Sequence, residues 1–182
     1  MIDIHTFYFN PYRECTYIVT EPDSNRCLII DAGPYGDKEE QRLSDYIRQH
    51  ELTPVALLIT HAHPDHICGQ EFIERTYNIH AIVFPAAGPL TIEGWQTPIT
   101  VLRTPGHKED CVCYYFADEA ILFSGDTLFQ ESIGRTDLPG GDMQTLLHSL
   151  ESLKQLPDNT CVYPGHGYPT TIAHEKQYNP YL

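Results

Sequence analysis

The stretch His61-Ala62-His63-Pro64-Asp65-His66 places three imidazoles and one carboxylate within six consecutive residues. In an extended segment His61 and His63 point to the same side, so that both are able to bind one ion. A turn of the chain then carries Asp65 and His66 to a neighbouring position, which provides ligands for a second ion. Buried without a metal, these groups would compete for hydrogen-bond partners. The sequence therefore predicts a metal centre built around this stretch.

The ligand types indicate a catalytic site rather than a structural one. A structural zinc site is normally closed by four thiolate or imidazole ligands, whereas a catalytic site keeps one position for water. Residues 61–66 contain no cysteine. Because imidazole and carboxylate ligands suit several metals, we expect two divalent ions, with zinc first and iron or manganese as alternatives.

The neighbouring segments place the metal-binding stretch between a strand and a helix. Residues 55–59 form a continuous apolar run, which predicts a buried strand, and residues 70–77 have a helical pattern. We expect a loop between them. Further strands are expected at 2–9, 15–20, 27–31, 81–84, 99–103, 111–116, 120–123 and 160–163, and further helices at 38–50 and at 143–156 after the N-cap Asp142.

This order of elements predicts an α+β fold. Two sets of strands, each followed by helices, are typical of two packed mixed sheets whose outer faces are covered by helices. A chain of 182 residues has the usual size of one domain, so we expect a single unit over residues 1–182.

Composition excludes two classes of partner. Lys and Arg number 11 against 25 Asp and Glu, and the net charge of −14 repels nucleic-acid phosphates. No stretch reaches the ~20 apolar residues of a membrane helix, and residues 1–5 lack the features of a secretory signal. We therefore expect a cytoplasmic protein without a nucleic-acid or membrane partner. The six cysteines form no CxxC pair and are expected to be reduced.

Three more ligand-type residues follow predicted strands and adjoin glycine, in Gly106-His107, Gly125-Asp126 and Gly165-His166. Glycine lets the backbone turn sharply, so that the next side chain is presented at the end of a strand. Each pair is weak evidence alone. With the metal-binding stretch they complete a set of seven candidate ligands, namely His61, His63, Asp65, His66, His107, Asp126 and His166.

In this order the seven residues resemble the metallo-β-lactamase superfamily, whose pattern is HxHxDH, a later His, a Gly-Asp and a terminal Gly-His. The resemblance covers essentially the whole chain. It implies an αββα sandwich with the metals at one edge, and it adds Asp31 as a supporting residue that binds no metal. It also implies that His61, His63 and His107 bind one ion, that Asp65, His66 and His166 bind the other, and that Asp126 bridges them.

Within the superfamily, residues 124–129, 134–138 and 165–172 resemble the branch of glyoxalase II and persulfide dioxygenase, and the ending is similar to short bacterial glyoxalase II-like hydrolases. This implies hydrolysis of a thioester, an S-acylglutathione such as S-lactoylglutathione. The nucleophile would be a hydroxide held by the two ions. Asp126 and Asp65 are the candidate catalytic residues, because Asp126 would bridge the ions and the spacing permits Asp65 to orient the hydroxide.

Arg135 and Tyr168 are the candidate substrate contacts. Arg135 pairs either with a substrate carboxylate or internally with Asp137 or Asp142. Tyr168 matches a tyrosine that follows the last ligand in glyoxalase II, and it serves either substrate contact or loop packing. Residues 108–111 differ from the glyoxalase II pattern, and we expect no C-terminal helical domain. The acyl group and the thiol carrier are therefore left open, as is the oligomeric state.

Other functions fit the same residues. A persulfide dioxygenase would use one iron bound by two histidines and a carboxylate, with open positions for oxygen. A metal-stabilised binding module would have no chemistry, although the complete ligand set argues against it. Hydrolysis of β-lactams or phosphodiesters also remains open, since a fold alone does not decide function. Metal stoichiometry separates the dioxygenase from the hydrolase.

Overall fold

The computed structural model describes residues 1–182, and the chain falls into two compact units. The first unit contains Met1–Val83 and Thr91–Thr97, and the second contains Phe84–Leu90 and Pro98–Leu182. Each unit has its own main sheet and its own apolar core. The single domain over residues 1–182 therefore stays a prediction.

The first unit has a five-stranded sheet with three helices. The strands are β1 (Asp3–Phe9), β2 (Glu14–Thr20), β3 (Arg26–Ile30), β4 (Thr53–Ile59) and β5 (Ala81–Val83), and they lie side by side in this order. β1, β2 and β3 are antiparallel, whereas β3, β4 and β5 are parallel. The helices are α1 (Asp37–Gln49), α2 (Pro64–Ile67) and α3 (Gln70–Tyr77).

The apolar run of β4 explains its position inside the sheet. A parallel strand covered on both faces has consecutive apolar residues, and Leu57, Leu58 and Ile59 are all buried. Leu43 of α1 and Ile73 of α3 belong to the same core as Leu57 and Ile59. Burying one such side chain stabilises the fold by about 2 kcal/mol. The metal-binding stretch therefore begins at the end of a firmly held strand.

The metal-binding stretch differs from its prediction. The stretch after β4 is not a loop throughout, because α2 begins at Pro64. Proline suits the first position of a helix, where its missing N–H costs no hydrogen bond and its φ angle is already helical. His63 precedes it in an extended conformation, with φ −76° and ψ 148°. Asp65 and His66 consequently project from a short helix rather than from a loop.

The second unit has a six-stranded sheet, a small hairpin and two helices. The elements are β6 (Gly88–Leu90), β7 (Ile99–Arg103), β8 (Val112–Phe116), β9 (Ile121–Gly125), β10 (Leu128–Phe129), β11 (Ser132–Ile133), α4 (Met143–Leu153), β12 (Cys161–Pro164), β13 (Thr170–Thr171) and α5 (Ile172–Tyr178). The main sheet has the order β13-β12-β9-β8-β7-β6, and β10 pairs with β11.

The strand directions bring the carboxyl ends of three strands to one edge of the second sheet. β8 is antiparallel to both β7 and β9, and β12 is parallel to β9. The carboxyl ends of β7, β9 and β12 therefore lie at the same edge. His107 follows β7, Asp126 follows β9 and His166 follows β12.

Helix α4 is amphipathic, and its leucines, Leu146, Leu150 and Leu153, belong to the core of the second unit. Asp142 caps this helix as predicted, since its carboxylate accepts a hydrogen bond from the Thr145 N–H at 2.7 Å. The short elements β6, β10, β11, β13 and α5 are absent from the prediction, because two to seven residues are too few for a clear periodic pattern. None of the helices has the length and apolar character that a membrane crossing requires.

Candidate metal centre

His61 and His63 face each other at the end of β4. His61 Nε2 lies 3.0 Å from His63 Nδ1, and the two rings are inclined by 84°. Two nitrogen ligands on one tetrahedral zinc ion lie about 3.3 Å apart, given Zn–N bonds of ~2.0–2.1 Å. The pair therefore has the arrangement of two ligands of a single ion.

Asp65 and His66 form a second pair on α2. Asp65 Oδ2 lies 3.8 Å from His66 Nε2, and the imidazole is fully buried whereas the carboxylate is partly exposed. The first unit thus brings all four predicted ligands of the stretch together, in the two pairs that the sequence predicts.

Asp31 belongs to a set of hydrogen bonds that orients the imidazoles of His61 and His66. Its Oδ2 lies 2.9 Å from His66 Nδ1, and its Oδ1 accepts a hydrogen bond from the Thr60 N–H at 2.7 Å. The Thr60 hydroxyl donates to Asp31 Oδ2 at 2.8 Å and lies 3.1 Å from His61 Nδ1. A carboxylate acceptor at Nδ1 fixes the proton on that nitrogen, so that the lone pair of Nε2 is directed to a metal. Asp31 therefore makes the contacts expected of the supporting residue that the family resemblance implies.

Glu14 is a second buried carboxyl group near His66, and it is not among the residues predicted from the sequence. Its Oε1 lies 4.0 Å from His66 Nδ1, and its Oε2 accepts a hydrogen bond from the Thr16 hydroxyl at 2.8 Å. Burial raises the pKa of Glu14 well above its ordinary value, although His66 opposes the shift. A glutamate at the start of a strand is normally exposed, so no sequence signal marks this residue.

Asp126 stands between two imidazoles in the second unit. Its Oδ2 lies 3.6 Å from His107 Nε2 and also 3.6 Å from His166 Nε2. Asp126 and His107 are buried, whereas a quarter of the His166 side chain is exposed. The second unit therefore brings its three predicted ligands together around one carboxylate oxygen.

The segment after β11 packs closely against His107 and Asp126. His107 Nδ1 donates a hydrogen bond to the Arg135 carbonyl at 2.7 Å, which directs the other ring nitrogen towards Asp126. A side chain at Gly134 would place its Cβ 1.9 Å from the Asp126 carbonyl oxygen and 3.0 Å from the His107 ring. Only glycine permits this close approach. Gly134 therefore supports two ligands through the backbone, a role that its sequence context does not reveal.

The two candidate substrate contacts are both exposed. Arg135 binds Asp137 in a two-pronged ion pair, with both nitrogen–oxygen distances at 2.7 Å. The hydrogen bonds from Arg135 lower the pKa of Asp137 to about 2. Of the internal partners predicted for Arg135, Asp137 is therefore the one in contact, while Asp142 caps α4. Tyr168 is 71% exposed.

The four candidate ligands of the first unit form one group, and the three of the second unit form another. The chemistry of both groups suits divalent metals. Each group combines imidazole nitrogens with a carboxylate, and hydrogen bonds at the outer ring nitrogens of His66 and His107 orient these ligands. Such donors bind zinc, iron and manganese. No thiol belongs to either group.

The sequence profile of the metallo-beta-lactamase superfamily matches residues 12–103 and 96–166. The chain belongs to the metallo-β-lactamase superfamily. Two curated members of similar length resemble it. Probable metallo-hydrolase YqgX of Bacillus subtilis (strain 168) is 35% identical, over 94% of this chain and 93% of that protein. Hydroxyacylglutathione hydrolase GloC of Haemophilus influenzae is 30% identical, over 88% of this chain and 89% of that protein.

Solved structures of the superfamily have the same fold. The BLEG-1 B3 metallo-β-lactamase is 32% identical with a TM-score of 0.89, over 99% of each chain. TTHA1623 in a di-iron-bound form is 30% identical with a TM-score of 0.83, over 98% of this chain and 100% of that one. The predicted metallo-β-lactamase fold of the α+β class is therefore confirmed, and the chain is a metallohydrolase of this superfamily.

Proposed function

We propose that the protein hydrolyses thioesters, S-acylglutathiones such as S-lactoylglutathione among them, with two divalent ions bound by the seven predicted ligands. The position of Asp126 carries this proposal. One oxygen of its carboxylate is equally distant, at 3.6 Å, from one predicted ligand of each ion, His107 and His166. A carboxylate oxygen in this position would be able to hold both ions. The pairing of His61 with His63, and of Asp65 with His66, supports the same division.

Two relatives support the substrate class and the metal number. GloC is named as a hydroxyacylglutathione hydrolase, and TTHA1623 has a di-iron-bound form. We propose zinc as the metal, with iron and manganese suited to the same ligands. The proposed reaction takes place in the cytoplasm on a small molecule and needs no nucleic acid or membrane.

The chain's own residues orient the reactants. When bound, the two ions would lower the pKa of a shared water towards ~7 and polarise the thioester carbonyl. We propose that Asp65, whose side chain is partly exposed, holds the proton of the attacking water. A thiol of pKa roughly 8.5 leaves as a thiolate, so the reaction needs no further acidic residue. Tyr168 and Arg135 are the proposed substrate contacts, and Arg135 would exchange Asp137 for a substrate carboxylate.

Metal analysis of the purified protein, combined with a substrate panel, tests this proposal. We expect two metal ions per chain, hydrolysis of S-lactoylglutathione, loss of activity after chelation, and recovery with added Zn²⁺. A single iron per chain, with oxygen consumption on glutathione persulfide, would instead establish a dioxygenase. A β-lactam belongs in the panel because BLEG-1 is a metallo-β-lactamase. Hydrolysis of the β-lactam without any thioester hydrolysis would also contradict the proposal.

A further inference from the structure

A cavity of about 320 Å³ opens beside Asp65 in the first unit. The loop between β1 and β2, the segment after β3 and the first turn of α2 form its walls. Two aromatic rings are largely uncovered there, since Tyr12 is 73% exposed and Tyr35 is 68% exposed. Concave sites with exposed aromatic rings are typical of ligand binding. The lining includes Pro11, Tyr12, Tyr35, Pro64, Asp65 and Cys68.

Hydrogen bonds hold the two tyrosine-bearing segments in place. The Glu39 carboxylate accepts from the Asn10 N–H at 2.9 Å and from the Tyr35 N–H at 2.8 Å. The Asn10 side chain donates to the Asp65 carbonyl at 3.0 Å and to the Gly33 carbonyl at 3.1 Å. The cavity walls are therefore tied to the backbone of a predicted metal ligand, which gives a preorganised site.

The charge of the cavity indicates what it binds. Asp65 is the only charged residue in the lining, and no lysine or arginine belongs to it. The carboxylates of glutathione need cationic partners, so this cavity does not suit them. Proline and tyrosine side chains offer apolar surface and aromatic faces instead. A neutral apolar group is the ligand that matches these walls.

We propose that this cavity binds the acyl group of the thioester, and that the preferred acyl groups are aromatic or branched hydrocarbons larger than lactoyl. The inference rests on the proposed thioester hydrolysis, because the acyl group is attached to the carbonyl that reacts beside Asp65. S-lactoylglutathione is then a substrate with a lower kcat/KM than an aromatic acyl thioester of the same thiol.

A comparison of two acyl groups on one neutral carrier tests the proposal. S-benzoyl and S-acetyl thioesters of N-acetylcysteamine are compared in the metal-loaded Tyr12→Ala and Tyr35→Ala variants. We expect kcat/KM for the benzoyl thioester to fall about tenfold, mainly through KM, because an aromatic contact is lost. The acetyl thioester should change by less than about twofold. Equal changes for both substrates would overturn the proposal.

Tyr178→Ala is the matched control, because Tyr178 is 56% exposed and lies on α5 in the second unit. This variant should leave the ratio of kcat/KM for the benzoyl thioester to kcat/KM for the acetyl thioester unchanged. If it lowers the ratio as much as Tyr12→Ala does, the preference for benzoyl does not arise in this cavity.

Binding of a non-hydrolysable thioether tests the cavity independently of catalysis. We expect S-phenacyl-N-acetylcysteamine to bind about tenfold more weakly to the Tyr12→Ala and Tyr35→Ala variants by calorimetry. The thioether should also protect Cys68, an exposed thiol in the lining, from N-ethylmaleimide. The labelled peptide that disappears in the Cys68→Ser variant is the one that contains Cys68. Unchanged affinity in the variants, together with no protection, would overturn the proposal. Binding and protection without thioester hydrolysis would support the cavity and contradict the proposed function.

Discussion

Asp31 Oδ2 lies 2.9 Å from Nδ1 of His66, and both side chains are buried. The other oxygen of Asp31 accepts a hydrogen bond from the Thr60 backbone. Both carboxylate oxygens are therefore used as acceptors, one towards a predicted metal ligand and one towards the segment that precedes the metal-binding stretch. An amide has one acceptor oxygen instead of two, so neither orientation of an asparagine serves both partners.

Asp31→Asn should weaken Zn²⁺ binding about 10- to 100-fold, the usual effect of losing a partner that orients a ligand. Competition with a chelator of known affinity measures this change. Asp23→Asn is the matched control, because Asp23 is exposed and shares the left-handed backbone of Asp31, with φ 58° against 60°. Equal zinc affinity in the Asp31 variant and the wild type would show that the hydrogen bond to His66 does not support the metal.

Asp126→Ala should lower metal content and thioesterase activity together, because its carboxylate oxygen faces both His107 and His166. Elemental analysis and turnover on the same preparation provide the measurement. Asp118→Ala is the control, because it removes an exposed carboxylate that follows β8. It should change neither the metal content nor the turnover. Near-normal turnover in the Asp126 variant would exclude the bridging role.

Gly33→Ala should destabilise the protein by about 1–3 kcal/mol, as expected for overpacking in a core. A Cβ at this position would lie 1.7 Å from Glu14 Oε2. Urea unfolding measures the loss. Removing the carboxylate opens space, so the double variant Gly33→Ala with Glu14→Ala should be more stable than Gly33→Ala alone. If the second substitution brings no recovery, the contact with Glu14 does not explain the requirement for glycine.

The thiols should differ strongly in reactivity. Burial raises the pKa of Cys27 to about 12 and that of Cys113 to about 11, and Cys15 and Cys111 are also buried. Partial burial also raises the pKa of Cys68, but Cys68 is the exposed thiol. Because access decides the order, a disulfide reagent at about pH 8 should react first with Cys68 and more slowly with Cys161.

A thiol count before and after unfolding in guanidinium provides the measurement. The buried four of the six cysteines should react only after unfolding. Cys68→Ser should abolish the fast phase. A rapid reaction of all thiols in the native protein would contradict this assignment.

The cap of α4 should give the stability a specific pH dependence. Hydrogen bonds from Thr145 lower the pKa of Asp142. A carboxylate with a lowered pKa stabilises the folded state above its unfolded pKa of about 3.9, and this contribution is lost as the pH falls below that value. The urea midpoint of Asp142→Ala should therefore lie below that of the wild type at about pH 6, and the gap should narrow below about pH 4.

Asp142→Asn is the control, since an amide caps a helix without titrating. The difference in urea midpoint between Asp142→Asn and Asp142→Ala should stay constant over the same pH range. A gap between wild type and Asp142→Ala that widens on acidification would contradict the role of the ionised cap.

Much of the fold follows from local patterns. The helices at Asp37–Gln49, Gln70–Tyr77 and Met143–Leu153 have long periodic faces, and the strands around the metal-binding stretch have dense apolar runs. The two- and three-residue strands have no such pattern, because pairing with distant residues forms them. The start of α2 at Pro64 is a local effect that the loop prediction overlooked.

The sequence by itself predicted the candidate ligands, because four of them lie within six consecutive residues and three others adjoin glycines at strand ends. Apart from Asp31, which the family resemblance implied, it could not reveal which residues support them. Glu14 and Gly33 are 19 positions apart, yet a side chain at position 33 would collide with the Glu14 carboxylate. Tyr12 and Tyr35 are also distant in the sequence but line one cavity. Only the tertiary structure decided these relationships, since contacts between distant residues depend on how the strands pair rather than on neighbouring residues in the chain.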